Sequence, residues 1–111
     1  ADPCDPEQLF ERRWALTLLD TVLQRLEKEA AESGRANLFL QIKGALLGER
    51  GAVPYAELGP QLGLSEAALT MTVLRLRRRY RELVREEIAH TVGSPVEIEE
   101  ELRHLFRVLG G

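Results

Sequence analysis

The sequence predicts an all-α fold of about five helices with a helix-turn-helix at its centre. Apolar residues recur at spacings of three and four, and glycines, prolines and helix-capping residues separate the periodic stretches. No stretch of strand length alternates with a period of two. Because 111 residues, 44% of them apolar, suffice for one hydrophobic core, we expect a single helical domain over residues 1–111.

The first two predicted helices cover residues 9–33 and 36–47. The apolar side chains of the first helix form one stripe because they recur at every fourth position: Phe10, Trp14, Leu18, Val22 and Leu26. Gly34 ends the first helix and Gly48 ends the second, since glycine readily adopts the left-handed conformation that closes a helix. We expect the stripe of the first helix to face the core.

The helix-turn-helix is predicted over residues 54–92. Pro54 opens a short first helix, Gly63 turns the chain, and Ser65 caps a longer second helix that reaches about Val92. Pro60 lies inside the short helix, where the missing backbone N–H is expected to produce a kink. An acidic fifth helix follows over residues 94–109 and opens with a Ser-Pro-Val-Glu capping box.

Packing of the short helix against the second helix leaves one surface of the second helix outward. We call this surface the reading face and expect it to enter a DNA major groove. It comprises Glu66, Ala67, Thr70, Met71, Leu74 and Arg78. Ser65 lies at the start of the same helix, and long basic side chains are placed to reach phosphates on either side of the groove: Arg75, Arg77, Arg78, Arg79 and Arg81. Glu82, Glu86 and Glu87 are expected to pair with some of these arginines along the helix.

Other classes of function find little support in the sequence. The net charge of −3 is not typical of a nucleic-acid-binding domain, so the local clustering of arginine carries the DNA interpretation. The single cysteine, Cys4, has no partner for a disulfide, and no apolar run approaches the roughly 20 residues of a membrane span. Phosphate-loop, nucleophile-elbow and zinc-protease motifs are absent, and His90 and His104 lack ligand spacing. We therefore expect a cytoplasmic, non-enzymatic protein without cofactor or metal.

The same stretches resemble region 4 of bacterial sigma factors of the extracytoplasmic-function type. The matching segments are Tyr55-Ala56-Glu57-Leu58, Leu62-Gly63-Leu64-Ser65-Glu66 and the arginine-rich run from Val73 to Leu83, with a further likeness over Phe10 to Leu19. The resemblance implies that the motif reads the −35 promoter element and that an adjoining surface docks on the flap of the RNA polymerase β subunit. It also implies that Thr70 and Leu74 face the bases, while Arg75, Arg78 and Arg79 approach the backbone. No segment resembles region 2, so the chain is not expected to melt a promoter by itself.

A second interpretation is a protein-interaction module that keeps the helix-turn-helix fold but binds a regulator or an anti-sigma-like partner. Met71 and Leu74 favour it, because apolar side chains suit a protein groove as well as thymine methyl groups. A related hypothesis starts from opposite charge: the acidic fifth helix masks the basic helix until DNA or polymerase displaces it.

Overall fold

The computed structural model describes residues 5–110, and the part of the chain it describes contains five α-helices and no strand, which confirms the all-α prediction. The helices are α1 (Pro6–Glu32), α2 (Ala36–Leu47), α3 (Tyr55–Leu62), α4 (Glu66–Ala89) and α5 (Pro95–Gly110). None of these helices combines the length and the apolar character needed to cross a membrane. Cys4 lies outside the described residues.

Local hydrogen bonds explain where the long helices begin and end. α1 begins at Pro6, where the Asp5 carboxylate accepts a hydrogen bond from the Glu7 N–H at 3.0 Å and caps the helix. α4 ends at Ala89, three residues before the predicted end. There the backbone N–H and the hydroxyl of Thr91 both donate to the Ile88 carbonyl, at 2.9 and 2.8 Å, and turn the chain.

Contacts between the helices cluster in two compact units, one of residues 5–25 and 82–110 and one of residues 26–81. The buried apolar residues of the first unit come from α1, α4 and α5: Ala15, Val22, Leu83, Val84, Ile88 and Leu105. Phe10 is 74% exposed, so the predicted core stripe of α1 does not extend to it. Arg25 on α1 pairs with Glu86 and Glu87 on α4, at 3.1 and 2.7 Å, and Arg85 pairs with Glu99 on α5.

The second unit contains the predicted motif and a tightly buried apolar cluster. Ile42 of α2, Leu58 of α3, and Leu69 and Val73 of α4 are each at most 1% exposed. Half-buried side chains surround this cluster: Leu38, Ala45, Tyr55, Leu62, Leu64 and Leu76. Because three helices contribute to one cluster, α4 is held through side chains three and four residues apart on its inner face.

The turn between α3 and α4 depends on two glycines. Gly63 has a φ of +70°, the left-handed conformation that ends α3, and the Leu64 N–H donates to the Gly59 carbonyl at 2.9 Å. The Leu64 carbonyl comes back so close to Gly59 that a Cβ atom there would lie 2.5 Å from the carbonyl oxygen. α3 continues through Pro60 to Leu62. Gly59 and Pro60 are therefore part of the tight turn between α3 and α4, since their carbonyls accept hydrogen bonds from the Leu64 and Gly63 N–H groups.

Candidate nucleic-acid interface

The reading face is exposed along the first three turns of α4. Glu66, Ala67, Thr70, Leu74 and Arg78 are exposed, and Met71 joins them on the same side of the helix. Met71 and Leu74 are each 48% exposed, within the range of 38% to 74% that the other exposed large apolar side chains span. The face results from helical periodicity, because burial of Leu69 and Val73 turns the intervening positions outward.

Ser65 positions the start of this helix. Its hydroxyl accepts a hydrogen bond from the Ala68 N–H at 3.1 Å, and its carbonyl accepts one from the Leu69 N–H at 2.9 Å. The first bond satisfies one of the amides that an α-helix leaves without a partner at its N-terminus. Ser65 thus has a local structural role as a helix cap at the position predicted for a DNA contact.

Three of the five predicted phosphate-contacting arginines are available to a ligand. The side chains of Arg75, Arg78 and Arg81 are exposed, and within residues 5–110 they form no hydrogen bond or ion pair. Arg75 follows Met71 by four residues and Arg78 follows Leu74 by four residues, so the two arginines flank the apolar part of the reading face. This combination places positive charge beside a surface that is otherwise weakly polar.

Arg77 has a different position from the one predicted. Its guanidinium donates to the Ala45 carbonyl at 2.9 Å and to the Leu46 carbonyl at 3.4 Å, both in the last turn of α2. Carbonyl groups at a helix C-terminus lack partners within the helix and carry the negative end of its dipole. Arg77, predicted to reach a phosphate, therefore caps α2 from α4.

Arg79 also belongs to the scaffold. Its Nε and Nη2 atoms donate to the two carboxylate oxygens of Glu29 on α1, at 2.9 and 2.7 Å. A bidentate arginine–carboxylate pair fixes both side chains and largely neutralises the arginine. Arg79, predicted to approach the DNA backbone, thus forms a contact between α4 and α1.

Sequence reasoning missed the partners of these two arginines. Glu29 precedes Arg79 by 50 residues, and the carbonyls bonded by Arg77 precede it by 31 and 32 residues. Local spacing had suggested instead that Glu86 and Glu87 neutralise arginines of the same helix. The structure pairs both carboxylates with Arg25 of α1.

The charge of the second unit differs from the charge of the chain. Residues 26–81 contain nine Lys and Arg residues and six Asp and Glu residues, a formal charge of +3. Residues 5–25 and 82–110 contain six basic and eleven acidic residues, a formal charge of −5. The arginine-rich helix thus starts in a basic unit, a feature hidden by the total of −3. On the same helix, burial raises the pKa of the Tyr80 hydroxyl above its ordinary value, and this side chain, which is neutral at physiological pH in either case, adds no charge.

In the part of the chain that the structure describes, the side chains form no other kind of candidate site. No group of three or more His, Cys, Asp or Glu side chains there could hold a metal ion. His90 is exposed, and His104 lies against the Trp14 ring with centroids 5.7 Å apart and its Nε2 atom 3.6 Å from the Glu11 carboxylate. A cavity of about 290 Å³ lies in the second unit, but Arg79 is the only predicted site residue among its described lining.

Within residues 5–110, the features that bear on function are the reading face, the three arginines that form no hydrogen bond or ion pair there, and the scaffold contacts of Arg77 and Arg79. No protein-family model, curated protein or solved structure matches the chain.

Proposed function

We propose that this chain is a DNA-binding domain of sigma region 4 type, in which α3, the turn and α4 act as a helix-turn-helix. The observation that carries the proposal is the exposed reading face of α4, with Arg75, Arg78 and Arg81 unpaired among the residues that the structure describes. In this arrangement the first turns of the second helix contact base edges, and flanking cations contact phosphates.

The basic charge of residues 26–81 supports the proposal. DNA presents a dense row of phosphates, and a local excess of positive charge attracts it even when the whole chain is acidic. The formal charge of +3 already counts both Glu29 and Arg79, whose opposite charges cancel. The excess therefore belongs to side chains other than this pair, including the exposed arginines of α4.

The scaffold contacts provide a second line of support. Arg79 links α4 to α1, and Arg77 links α4 to the end of α2. Base readout requires that the recognition helix be held at a fixed position relative to its backbone contacts. The contacts of Arg77 and Arg79 hold α4 against α2 and α1, and this is consistent with a rigid, preformed reading face.

The wider role follows from the resemblance to sigma region 4. On that basis we propose recognition of the −35 promoter element, docking on the flap of the RNA polymerase β subunit, and a cytoplasmic, non-enzymatic role in transcription initiation. Promoter melting is assigned to another segment or protein, since no part of the sequence resembles region 2.

The proposal is tested by fluorescence anisotropy with duplexes enriched from a randomised pool and titrated at several salt concentrations. With three available arginines, log affinity should fall with log salt at a slope of about −2.7. The double variant Arg75→Ala/Arg78→Ala should reduce the magnitude of the slope by about two and weaken binding to all sequences. Arg12→Ala/Arg13→Ala is a matched control, because these exposed arginines of α1 lie in the acidic unit and should leave the slope unchanged. Absence of binding at low salt, or equal losses in both double variants, would contradict the proposal.

A protein-interaction module is the second candidate, favoured by the exposure of Met71 and Leu74. Under this alternative, the reading face binds an apolar groove of a regulator, and the arginines flank that groove. The same titration separates the candidates, because a module that binds only protein shows no sequence-selective DNA binding at low salt.

A further inference from the structure

The part of the reading face from Glu66 to Leu74 has an unusual chemical composition for a DNA-binding helix. Hydrogen bonds that identify guanine and adenine in the major groove come mainly from Arg, Lys, Asn and Gln. None of these four residue types occurs between Glu66 and Leu74. The outward side chains in this range are Glu66, Ala67, Thr70, Met71 and Leu74.

Four of these five side chains present a methyl group or a longer apolar group. Thr70 and Leu74 are four residues apart, Met71 and Leu74 are three apart, and Ala67 precedes Met71 by four. Neighbours at these spacings lie side by side on a helix, so together they form one apolar strip two turns long. Thr72 is not part of the strip, because its hydroxyl donates to the Ala68 carbonyl at 2.9 Å.

Only one chemical group on a major-groove edge is apolar, and that is the C5-methyl group of thymine. Water is removed from a methyl group when it packs against Met or Leu, and this favours thymine over a base that lacks the group. Glu66 is the one charged side chain in the same range, and its carboxylate can only accept hydrogen bonds. Among major-groove edges, the amino groups of cytosine and adenine are donors, and cytosine N4 is the usual partner of Glu.

We infer that the recognition helix, if it binds DNA as proposed above, reads a pyrimidine-rich site through thymine methyl groups packed against Met71 and Leu74, with a cytosine amino group bonded to Glu66. Specificity then comes from apolar contact and one acceptor, while Arg75 and Arg78 supply affinity through phosphates.

The test removes only the methyl groups. In the enriched duplex, each thymine is replaced in turn by deoxyuridine, which leaves base pairing and phosphates unchanged. We expect affinity to fall by about fourfold at each contacted thymine. The slope of log affinity against log salt should stay unchanged in these duplexes, because no phosphate contact is lost.

Variants of the protein assign the methyl contacts to residues. Met71→Ala and Leu74→Ala should each weaken binding to the thymine duplex and abolish the effect of deoxyuridine at one position. Leu40→Ala is the matched control, because Leu40 is 58% exposed on α2 and lies outside the reading face. Glu66→Gln should reduce the preference for cytosine and favour adenine, to which Gln bonds through two atoms. Thermal unfolding of each variant checks that the fold is retained, as expected for exposed positions.

The outcomes separate this inference from the function on which it rests. Failure to bind any duplex at low salt overturns both, and it favours a protein groove as the partner of Met71 and Leu74. Sequence-selective binding that is insensitive to deoxyuridine overturns the thymine inference alone. A deoxyuridine effect that persists unchanged in both Met71→Ala and Leu74→Ala also overturns it.

Discussion

Neighbouring arginines of one helix have different environments in this chain. Arg78 is exposed, while Arg77 and Arg79 on either side bond to groups of α2 and α1. Successive residues of a helix point about 100° apart, so three consecutive arginines cannot share one environment. The sequence predicted an arginine-rich surface, but it could not separate these three residues. The partners of Arg77 and Arg79 are 31 to 50 residues distant in the chain and adjacent only in the fold.

Replacement of Arg79 should affect stability more than DNA binding. We expect Arg79→Ala to lower the free energy of unfolding by about 0.5–1 kcal/mol, a small loss because the pair with Glu29 is more than one-third exposed and screened by solvent. The slope of log affinity against log salt should stay within experimental error of the unaltered protein. Urea denaturation measures the first quantity and anisotropy at several salt concentrations the second.

Arg78→Ala is the comparison for this prediction. It should leave the free energy of unfolding nearly unchanged, because Arg78 is exposed, and reduce the magnitude of the salt slope by about one. If Arg79→Ala reduces the slope as much as Arg78→Ala does, Arg79 leaves Glu29 to contact phosphate, and the assignment to the scaffold is wrong.

Helices were the most predictable elements of the chain, because caps and periodicity are local signals. Ser65 forms the predicted cap on α4, and α2 has the predicted bounds, residues 36–47. The capping box of α5 is present in altered form. Glu97 N–H donates to the Ser94 hydroxyl at 3.4 Å, while the Glu97 carboxylate accepts from the Gly93 N–H at 2.9 Å. The role of Gly59 was not predictable, since it depends on how the chain returns after the turn.

Two helical glycines should respond in opposite ways to the same substitution. Gly59→Ala places a Cβ atom 2.5 Å from the Leu64 carbonyl oxygen, which is backbone and cannot move without opening the turn. We expect it to lower the free energy of unfolding by about 1–3 kcal/mol, the range for overpacked sites. Gly44→Ala meets its nearest atoms at 3.4 and 3.5 Å and should raise stability by about 0.5–1 kcal/mol, because alanine is a better helix former.

Thermal and urea unfolding of both variants measure this difference, and circular dichroism at low temperature checks that the helices are retained. Gly59→Ala should also weaken DNA binding, because the turn positions the start of the recognition helix. Equal effects of the two substitutions would show that the close approach at Leu64 is relieved by small shifts, and that Gly59 has no special role.

The charge of the whole chain conceals how the charge is distributed. Residues 26–81 carry +3 and residues 5–25 with 82–110 carry −5, although both long helices contribute to both units. The amino-acid composition predicted only that the whole chain is acidic. The division of this charge between the two units depends on long-range contacts, which local sequence patterns do not specify. The prediction of one domain over residues 1–111 thus stays a prediction, with each unit having its own buried residues.

Masking of the basic helix by the acidic α5 is a hypothesis about the whole molecule. Two of the four carboxylates near the start of α5 already have partners within the acidic unit. Glu99 pairs with Arg85, and Glu97 accepts a hydrogen bond from the Gly93 N–H. Glu100 is exposed and Glu101 is half-buried. These two side chains therefore offer a way to lower the charge of α5 without disturbing its own contacts.

We expect Glu100→Gln/Glu101→Gln to raise DNA affinity less than threefold at low salt, with the gain disappearing as salt rises, because exposed carboxylates act on phosphates through a field that salt screens. The matched variant is Glu27→Gln/Glu32→Gln, which removes two exposed carboxylates of the basic unit and should raise affinity at least as much. Anisotropy of the full chain measures both. If the α5 variant gains tenfold or more while the matched variant does not, a diffuse field cannot explain the difference. Direct masking of the recognition helix by α5 would then be established.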